Sequence, residues 1–224
     1  MANHVYSNIC ITPSNEAGME KLNEIMQRAK DRPESDGNLW FGYLFVDGKE
    51  GSPTEDEVTQ YSWTTEHIGP KWCHIEDMDE IEGEISFRTE SAWSPPEAGV
   101  AKILEEIEKV DPNVIGTMVY DDEMPNFVGW SLFHGSELED GCEWDDEEIR
   151  EAIFYAHPHL KEHWDESNDE WQCDEDGDMT EEAYAAEDEY RDVLYEVCND
   201  MQDEGLDEAM KFLKERLAEE SNGD

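Results

Sequence analysis

The chain has 224 residues and carries 61 acidic against 15 basic side chains, which gives a formal net charge of −46. A surface this negative argues against binding to the nucleic-acid backbone, where Lys and Arg must displace counterions, and against an anionic membrane surface. Hydrophobic residues make up 37% of the chain and eight residues are Trp. The protein is therefore not a disordered acidic tail, and it is long enough for a real core.

The compartment is indicated by what the sequence lacks. The N-terminal segment has neither the basic start nor the apolar stretch of a signal peptide, and no window approaches the ~20 consecutive apolar residues of a membrane span. Five cysteines lie far apart, with an odd count and no CxxC pair. This pattern is typical of reduced thiols, so we expect a cytoplasmic protein.

Charge is distributed unevenly along the chain. Residues 1–120 hold 24 acids and 9 bases, whereas residues 121–224 hold 37 acids and 6 bases. The asymmetry predicts a compact first unit followed by a more acidic second one. We place an α+β domain at residues 1–135 and an acidic, mainly helical extension at residues 136–224.

The first elements of the chain follow clear patterns. His4–Thr12 alternates apolar and polar residues, which predicts a strand. Asn15 is a suitable cap for a helix that continues to about Lys30, with apolar residues at helical spacing. A loop rich in Gly, Pro and Asp follows. It is interrupted by the apolar run Leu39–Val46, which is either a strand or a packed insertion.

Further along, strands and helices continue to alternate. Glu84–Trp93 is predicted as a strand, and Glu97 to about Val110 as a helix with one apolar face. Val114–Tyr120 and Phe127–Phe133 are predicted as a hairpin. This order indicates an α+β sandwich with helices on one face of an antiparallel sheet.

The second half is predicted to be helical. Asp145 to about Ala156 is one candidate, and a clearer helix begins at Thr180, where nearby acids suit the positive helix start. A last helix is predicted from about Leu206 to Ala218. The helix after Thr180 carries an apolar stripe of Tyr190, Leu194, Val197 and Met201. Acids are expected on its opposite side: Glu181, Asp188, Asp192, Glu196 and Asp203.

Three short motifs carry a family resemblance. They are GPKW at Gly69–Trp72, SAWSPP at Ser91–Pro96, and the F-x-G turn at Phe127–Gly129. Together with the opening strand they resemble the YubB-type ferredoxin-like domain family of phage and plasmid proteins, over about residues 3–135. In that family a segment like GPKW precedes a strand. The resemblance implies a βαββαβ core and a mobile-element origin, and it brings no catalytic residues.

The aromatic residues of these motifs also have a structural interpretation. Trp93, at a strand end, is expected to bury a large apolar area, while Pro95 and Pro96 stop the strand and start the helix. Trp72, beside Lys71, is expected to pack similarly or to make a cation–π contact. A ligand-contacting role for these aromatic residues is the alternative.

Two groups of residues suggest metal binding, each with a simpler alternative. His157, His159 and His163 are followed by Cys173, and a helix would bring His159 and His163 to one face, but the spacing matches no strong zinc signature. Asp174, Asp176 and Asp178 alternate as in a calcium loop, although the match to an EF-hand fails at both ends. Surface histidines and a solvated acidic loop are the alternatives, and we assign neither a metal nor a cofactor.

Catalytic signatures are absent from the sequence. It contains no GxSxG, P-loop, HExxH or Rossmann glycine pattern. The neighbours Cys73 and His74 are too common a pair to indicate a nucleophile, and the surrounding negative charge disfavours a thiolate. We therefore expect a protein that is not an enzyme.

Charge density suggests a function. Glu181 to Glu204 contains ten acids over 23 residue steps. If this segment is helical, it is ~35 Å long and carries one acidic side chain per roughly 3.5 Å of its length. A DNA strand carries one phosphate charge per ~3.4 Å of its length. We therefore predict a DNA mimic that blocks a basic DNA-binding host protein, such as a defence nuclease, without itself contacting nucleic acid. The partner-binding candidates are Asp145, Asp146, Glu147, Glu148, Asp174, Glu175, Asp176, Asp178, Glu181, Asp188, Asp192, Glu196 and Asp203.

An acidic interaction or scaffold protein is the alternative hypothesis. Its charge would reflect solvation or adaptation to a salty cytoplasm, and the low number of Lys fits salt adaptation too. Such a protein would use Trp144, Trp164 and Trp171 as exposed anchors. The sequence leaves the oligomeric state open.

Overall fold

The computed structural model of the protein describes residues 3–32, 39–81 and 83–222. Seven antiparallel strands form one sheet, and the chain ends in a helix of 42 residues. The strands of this sheet are β1 (His4–Thr12), β2 (Leu39–Trp40), β3 (Cys73–Ile81), β4 (Glu84–Ala92), β5 (Ile115–Asp122), β6 (Phe127–His134) and β7 (Glu137–Asp145). A separate hairpin consists of β8 (Trp164–Asp165) and β9 (Glu170–Trp171). The helices are α1 (Glu16–Lys30), α2 (Glu55–Val58), α3 (Tyr61–His67), α4 (Glu97–Glu108), α5 (Asp146–Ala156), α6 (Pro158–Lys161) and α7 (Glu181–Asn222).

Strand β1 lies at the centre of the sheet. The spatial order is β2-β3-β4-β1-β5-β6-β7, and β1 pairs antiparallel with β4 on one side and β5 on the other. The residues of β1 alternate between the two faces, so that Val5, Ile9 and Ile11 are buried on one of them. The predicted strand at His4–Thr12 is confirmed with its bounds unchanged.

Helices α1 and α4 cover the face on which Ile9 is buried. The side chain of Asn15 caps α1, since its Oδ1 accepts a hydrogen bond from the backbone N–H of Gly18 at 2.9 Å. Both helices bury one apolar stripe against the sheet. The buried stripe residues are Leu22, Ile25 and Met26 of α1 and Val100, Ile103, Leu104 and Ile107 of α4.

The apolar run after α1 forms a packed insertion. It begins with the two-residue strand β2 and continues as a 3-10 helix at Phe41–Phe45, in which Phe41 and Leu44 are fully buried. Arg28 of α1 donates one hydrogen bond to the carbonyl of Leu44 at 3.0 Å and two to the carboxylate of Glu106 at 3.0 and 2.9 Å. This arginine therefore ties α1, α4 and the insertion together. Residues 33–38 of the predicted loop lie outside the described residues.

Helices α5 and α7 pack on the opposite face of the sheet, over β6 and β7. Trp130 and Leu132 of β6 form one apolar cluster with the last part of α7, and Val128 joins a second cluster with α5. The sheet is therefore covered by helices on both faces, whereas the sequence predicted helices on one. The α7 residues most buried in these clusters are Ala186, Cys198, Ala209 and Leu213.

The α+β class and the antiparallel sheet agree with the prediction, but the sheet has seven strands, whereas the βαββαβ core that the resemblance implies has four. Strand β3 begins directly after Trp72, and a bulge between Ile75 and Asp77 interrupts its alternation. Strand β7 was not predicted, because it is an acidic edge strand with seven of its nine residues exposed. It pairs with β6 and so continues the sheet beyond residue 135.

The two predicted C-terminal helices are one. Helix α7 continues through Gly205, which directly precedes the predicted start of the last helix. A Cβ atom at this position would lie 2.4 Å from Nε1 of Trp130. The glycine therefore allows close approach of the helix to the sheet and does not end the helix.

One expectation for the aromatic motifs is wrong, and for Trp72 the structure selects packing over the cation–π contact with Lys71. Trp93 does not bury its ring: it is 56% exposed and has a φ of 72°, in the left-handed region. Lys71 does not contact Trp72 but lies over the rings of Tyr61 and Trp93, at 5.7 and 5.4 Å from their centroids. Trp72 instead stacks on His74, at a centroid distance of 5.2 Å.

Candidate functional site

The first group of candidate carboxylates lies at the start of α5. Asp145 and Glu148 form a reciprocal capping box: Asp145 Oδ1 accepts from the backbone N–H of Glu148 at 3.0 Å, and Glu148 Oε2 accepts from that of Asp145 at 3.1 Å. These two carboxylates therefore stabilise the helix start. Asp146 and Glu147, in the first turn, are exposed.

The second group lies in a tight turn before α7. Cys173 and Met179 form a β-bridge across the turn, and Gly177 adopts a φ of 85° within it. Oδ1 of Asp174 accepts hydrogen bonds from the backbone N–H groups of Asp176 at 2.9 Å and Asp178 at 3.2 Å. Asp174 thus closes the turn, as Asp commonly does. The side chains of Glu175, Asp176 and Asp178 are exposed.

The third and largest group lies along the exposed side of α7, and its last member, Asp203, borders a groove between the helix and the sheet. Thr180 caps the helix, its Oγ1 accepting from the backbone N–H of Ala183 at 3.2 Å. Within the described parts of the chain, no ion pair engages the five predicted acids of this helix, and all five side chains are exposed. They are Glu181, Asp188, Asp192, Glu196 and Asp203.

The inner side of α7 is anchored along its length. Near its start, the ring of Tyr190 meets the ring of Trp171 edge-on at a centroid distance of 5.8 Å. In the middle, buried Gln202 donates from Nε2 to the carbonyls of Tyr120 at 2.7 Å and Gly129 at 3.0 Å. Towards the end, Arg216 and Glu139 of β7 form an ion pair at 2.7 Å. The sheet therefore holds the outer carboxylates on a fixed backbone.

The predicted tryptophan anchors are not exposed. Trp144, Trp164 and Trp171 are all partly buried and pack against the cluster formed by α5, α6 and α7. Trp164 and Trp171 meet edge-on with centroids 5.2 Å apart, and the guanidinium of Arg150 lies 4.9 Å from the centroid of Trp164. Other aromatic side chains are exposed instead, among them Tyr155, Tyr184, Tyr195 and Phe212.

The histidines do not converge on one point. Helix α6 ends at Lys161, so His163 lies outside the helix that would have aligned it with His159. Nε2 of His159 pairs with Oε1 of Glu189 on α7 at 2.8 Å, which gives this histidine a structural contact. Over residues 3–32, 39–81 and 83–222, no group of three or more His, Cys, Asp or Glu is arranged to hold a metal ion.

A separate concavity of about 720 Å³ lies among the insertion, α3 and α4. Nζ of Lys102 lies 2.7 Å from Nδ1 of His67 at this site. Burial lowers the pKa of Lys102, and the nearby carboxylates of Glu105 and Glu66 act in the opposite direction. Sequence reasoning missed this pair, because the two residues are 35 positions apart and no motif links them.

Comparison of the chain with family models, with curated proteins and with solved structures finds no match. Among the described residues, no helix combines the length and apolar character that a bilayer crossing requires. The geometry of the acidic surface is therefore the basis on which a function is proposed.

Proposed function

We propose that this protein is a non-enzymatic DNA mimic that occupies the DNA-binding surface of a basic host protein. The observation that carries the proposal is the density of acidic side chains along α7. Fifteen of the 42 residues of this helix are Asp or Glu. Over the ~63 Å that such a helix spans, this is one acid per ~4 Å. That value is close to the ~3.4 Å per charge along a DNA strand.

Preorganisation supports the proposal. The contacts of Tyr190, Gln202 and Arg216 fix the backbone of α7 against the sheet, so its carboxylates need little further ordering when a partner binds. Because they are exposed, these carboxylates can pair with Arg and Lys of the partner through charge-assisted hydrogen bonds. The excess negative charge would also accelerate encounter with a basic surface.

Origin and compartment form part of the same proposal. In chain order, β1, α1, β3, β4, α4 and β5 follow a βαββαβ sequence, and their four strands lie in the spatial order β3-β4-β1-β5. This order supports a ferredoxin-like core and the proposed YubB-type, phage or plasmid origin. All five cysteines are free thiols, which fits a reducing cytoplasm.

The experiment is a retention assay from host lysate at low salt. Immobilised full-length protein is compared with the variant D188N/D192N/E196Q/D203N and with the control E20Q/E50Q/D56N/E66Q. The control removes the same number of charges from exposed positions outside α7. We expect wild type and control to retain a DNA-binding protein that duplex DNA releases, and the α7 variant to lose about 90% of it.

Two outcomes would overturn mimicry. In one, duplex DNA releases nothing from the immobilised protein at a salt concentration where binding persists. In the other, the α7 variant and the control retain the partner equally, so that only total charge matters. Both variants are checked by circular dichroism, and their exposed positions make loss of folding unexpected.

The alternative, an acidic coat for solvation or salt adaptation, is favoured by one observation. Exposed acids are not confined to α7 but also occupy strand β3, at Glu76, Asp77, Asp79 and Glu80, and strand β7, at Glu137, Glu139, Asp140 and Glu143. This hypothesis predicts that no partner distinguishes the α7 variant from its control. The retention assay therefore separates the two functions.

A further inference from the structure

Part of the sheet face beside α7 is open. Helix α7 packs over β6 and β7, whereas the same face of β1 and β4 carries the exposed side chains of Asn8 and Arg88. On the other face of these strands, Ile9 and Phe87 are buried. An open groove of about 430 Å³ lies between α7 and the exposed strands. Here a central strand of the sheet has one face in solvent.

The floor of the groove is made mainly of small side chains, with the long side chain of Arg88 among them. It runs from β5 through β1 and β4 to β3, four strands that span about 14 Å at the usual spacing. An α-helix with its side chains is about 10–12 Å wide, so one helix fits beside α7. Two cross-strand rows form the centre of the floor: Val119, Asn8 and Arg88 in one, and Thr117, Cys10 and Ser86 in the other.

Carboxylates border this floor on two opposite sides. Asp77 and Asp79 lie on β3 at the far side, and Asp203 lies on α7 at the near side, next to the apolar side chain of Leu206. Of the parts of the chain that the structure describes, none provides an ion-pair partner for these three aspartates. Arg88, the basic residue of the floor, already pairs with Glu76 at 3.1 Å. The three carboxylates thus form no ion pair among the described residues, although Arg88 lies opposite Asp77 in the β3–β4 register.

We propose that this groove receives an amphipathic α-helix of a basic partner protein. Its Lys and Arg side chains would meet Asp77, Asp79 and Asp203, and its small or apolar side would face Cys10, Val119 and Leu206. A helix fits because the floor is a sheet face, whose backbone hydrogen-bonding groups are already paired between strands. The inference goes beyond DNA mimicry, since it holds for a basic partner that does not bind DNA.

The test uses the full-length protein and two synthetic peptides of 18 residues made from Leu, Ala and Lys. One places Leu at helical i, i+3, i+4, i+7 spacing, and the other has the same composition in scrambled order. We expect the patterned peptide to bind about tenfold tighter by isothermal titration calorimetry, because only it forms an apolar stripe. Its addition should shift the backbone amide resonances of Asn8, Cys10 and Thr117. Equal binding of both peptides, or shifts confined to the outer side of α7, would overturn the proposal.

Matched variants separate the groove from total charge. We expect D77N/D79N/D203N to weaken binding of the patterned peptide about tenfold, whereas D188N/D192N/E196Q, with the same loss of charge, weakens it less than about threefold. The variant S86W fills the floor without changing charge and should abolish binding. If S86W binds the patterned peptide as tightly as wild type does, or if the two triple variants weaken binding equally, the groove is not the binding site.

The failures of this inference and of DNA mimicry are distinguishable. If the patterned peptide binds in the groove but DNA displaces no partner from the lysate assay, only DNA mimicry is contradicted. If the patterned peptide does not bind, and S86W still retains the lysate partners that DNA displaces, only the proposed helix-binding groove is contradicted. A second copy of the chain is a further occupant that the experiment detects: groove resonances that shift with protein concentration would overturn the assignment to a basic helix.

Discussion

Individual side chains from distant parts of the chain determine how α7 sits on the sheet. Gln202 lies 82 positions from Tyr120 and 73 from Gly129, yet its amide joins the carbonyls of both. Arg28 and Glu106, 78 positions apart, similarly join the two helices of the other face. Gln202 and Arg28 are buried and Glu106 is partly buried, so an unpaired polar group at either contact is costly.

Replacing Gln202 tests the first contact. We expect Gln202→Leu to lower the free energy of unfolding by about 1–3 kcal/mol, because it leaves two strand carbonyls without their side-chain donor. Urea denaturation measures the change. The control is Gln27→Leu, the same chemical change at an exposed position of α1, with an effect within about 0.5 kcal/mol. Equal effects of the two variants would show that the hydrogen bonds of Gln202 contribute nothing specific.

The Arg28–Glu106 pair predicts a pH dependence. Burial by itself raises the pKa of Glu106, but the hydrogen bonds and charge of Arg28, with those of Lys21, outweigh it and lower the pKa below its ordinary value of 4.5. A carboxyl whose pKa is lowered by folding stabilises the folded state above its unfolded pKa, and this stabilisation is lost as the pH falls through the folded pKa.

We therefore expect Glu106→Gln to destabilise the protein by about 1–2 kcal/mol at pH 7. The difference from wild type should stay constant down to about pH 4.5 and shrink below it. Urea denaturation between pH 7 and pH 3 measures this, with Glu105→Gln as the exposed neighbouring control. A difference that is independent of pH down to pH 3 would contradict the assigned ion pair.

At the scale of elements, α7 is one helix because the sheet supports it from start to end. Helix formation gains little from Gly205, which is among the poorest helix formers. Gln202, before this residue, and Leu213, after it, both contact the sheet and stabilise the helical conformation at Gly205. Packing thus overrides a local propensity that by itself indicates a break.

The variant Gly205→Ala separates propensity from packing. Propensity alone would favour Ala by about 1 kcal/mol, but the added Cβ would lie 2.4 Å from the buried indole nitrogen of Trp130. We expect a net destabilisation of about 1–2 kcal/mol by thermal and urea unfolding. Asn199→Ala, at an exposed position of the same helix, should leave stability unchanged or slightly raised. A stabilised Gly205→Ala protein would show that the helix does not approach Trp130 closely.

At the scale of the molecule, charge opposes folding. A formal charge of −46 on 224 residues produces repulsion among carboxylates that the 15 basic side chains offset only in part. Salt screens this repulsion, since the Debye length falls from about 30 Å at 10 mM to about 3 Å at 1 M ionic strength. The same screening weakens any complex held by these carboxylates.

We therefore expect the melting temperature to rise by at least about 4 °C between 10 mM and 1 M NaCl. Differential scanning calorimetry measures it, and D188N/D192N/E196Q/D203N should show a smaller rise because it carries less charge. Retention of a mimicry partner should decrease over the same range of salt. A melting temperature that does not respond to salt would mean that the carboxylates are too well separated to repel one another.

Local patterns in the sequence determined the features that depend on neighbouring residues: the strand at His4–Thr12, the helix capped by Asn15, the helix from Glu97, and the helix start at Thr180. Alternation, helical spacing and caps act within a few residues, so they can be recognised along the chain. The excess of acids on the chain is likewise a property of composition.

The tertiary structure alone decided what depends on distant partners. Strand β7 forms because β6 pairs with it, although its own residues are acidic and exposed. The three tryptophans predicted as exposed anchors are partly buried against a core cluster, and α7 continues through Gly205, because each of them packs against other elements. The groove beside α7 exists because one long helix covers only part of a seven-stranded sheet. No local pattern encodes that incomplete cover, since it depends on the width of the whole sheet relative to a single helix.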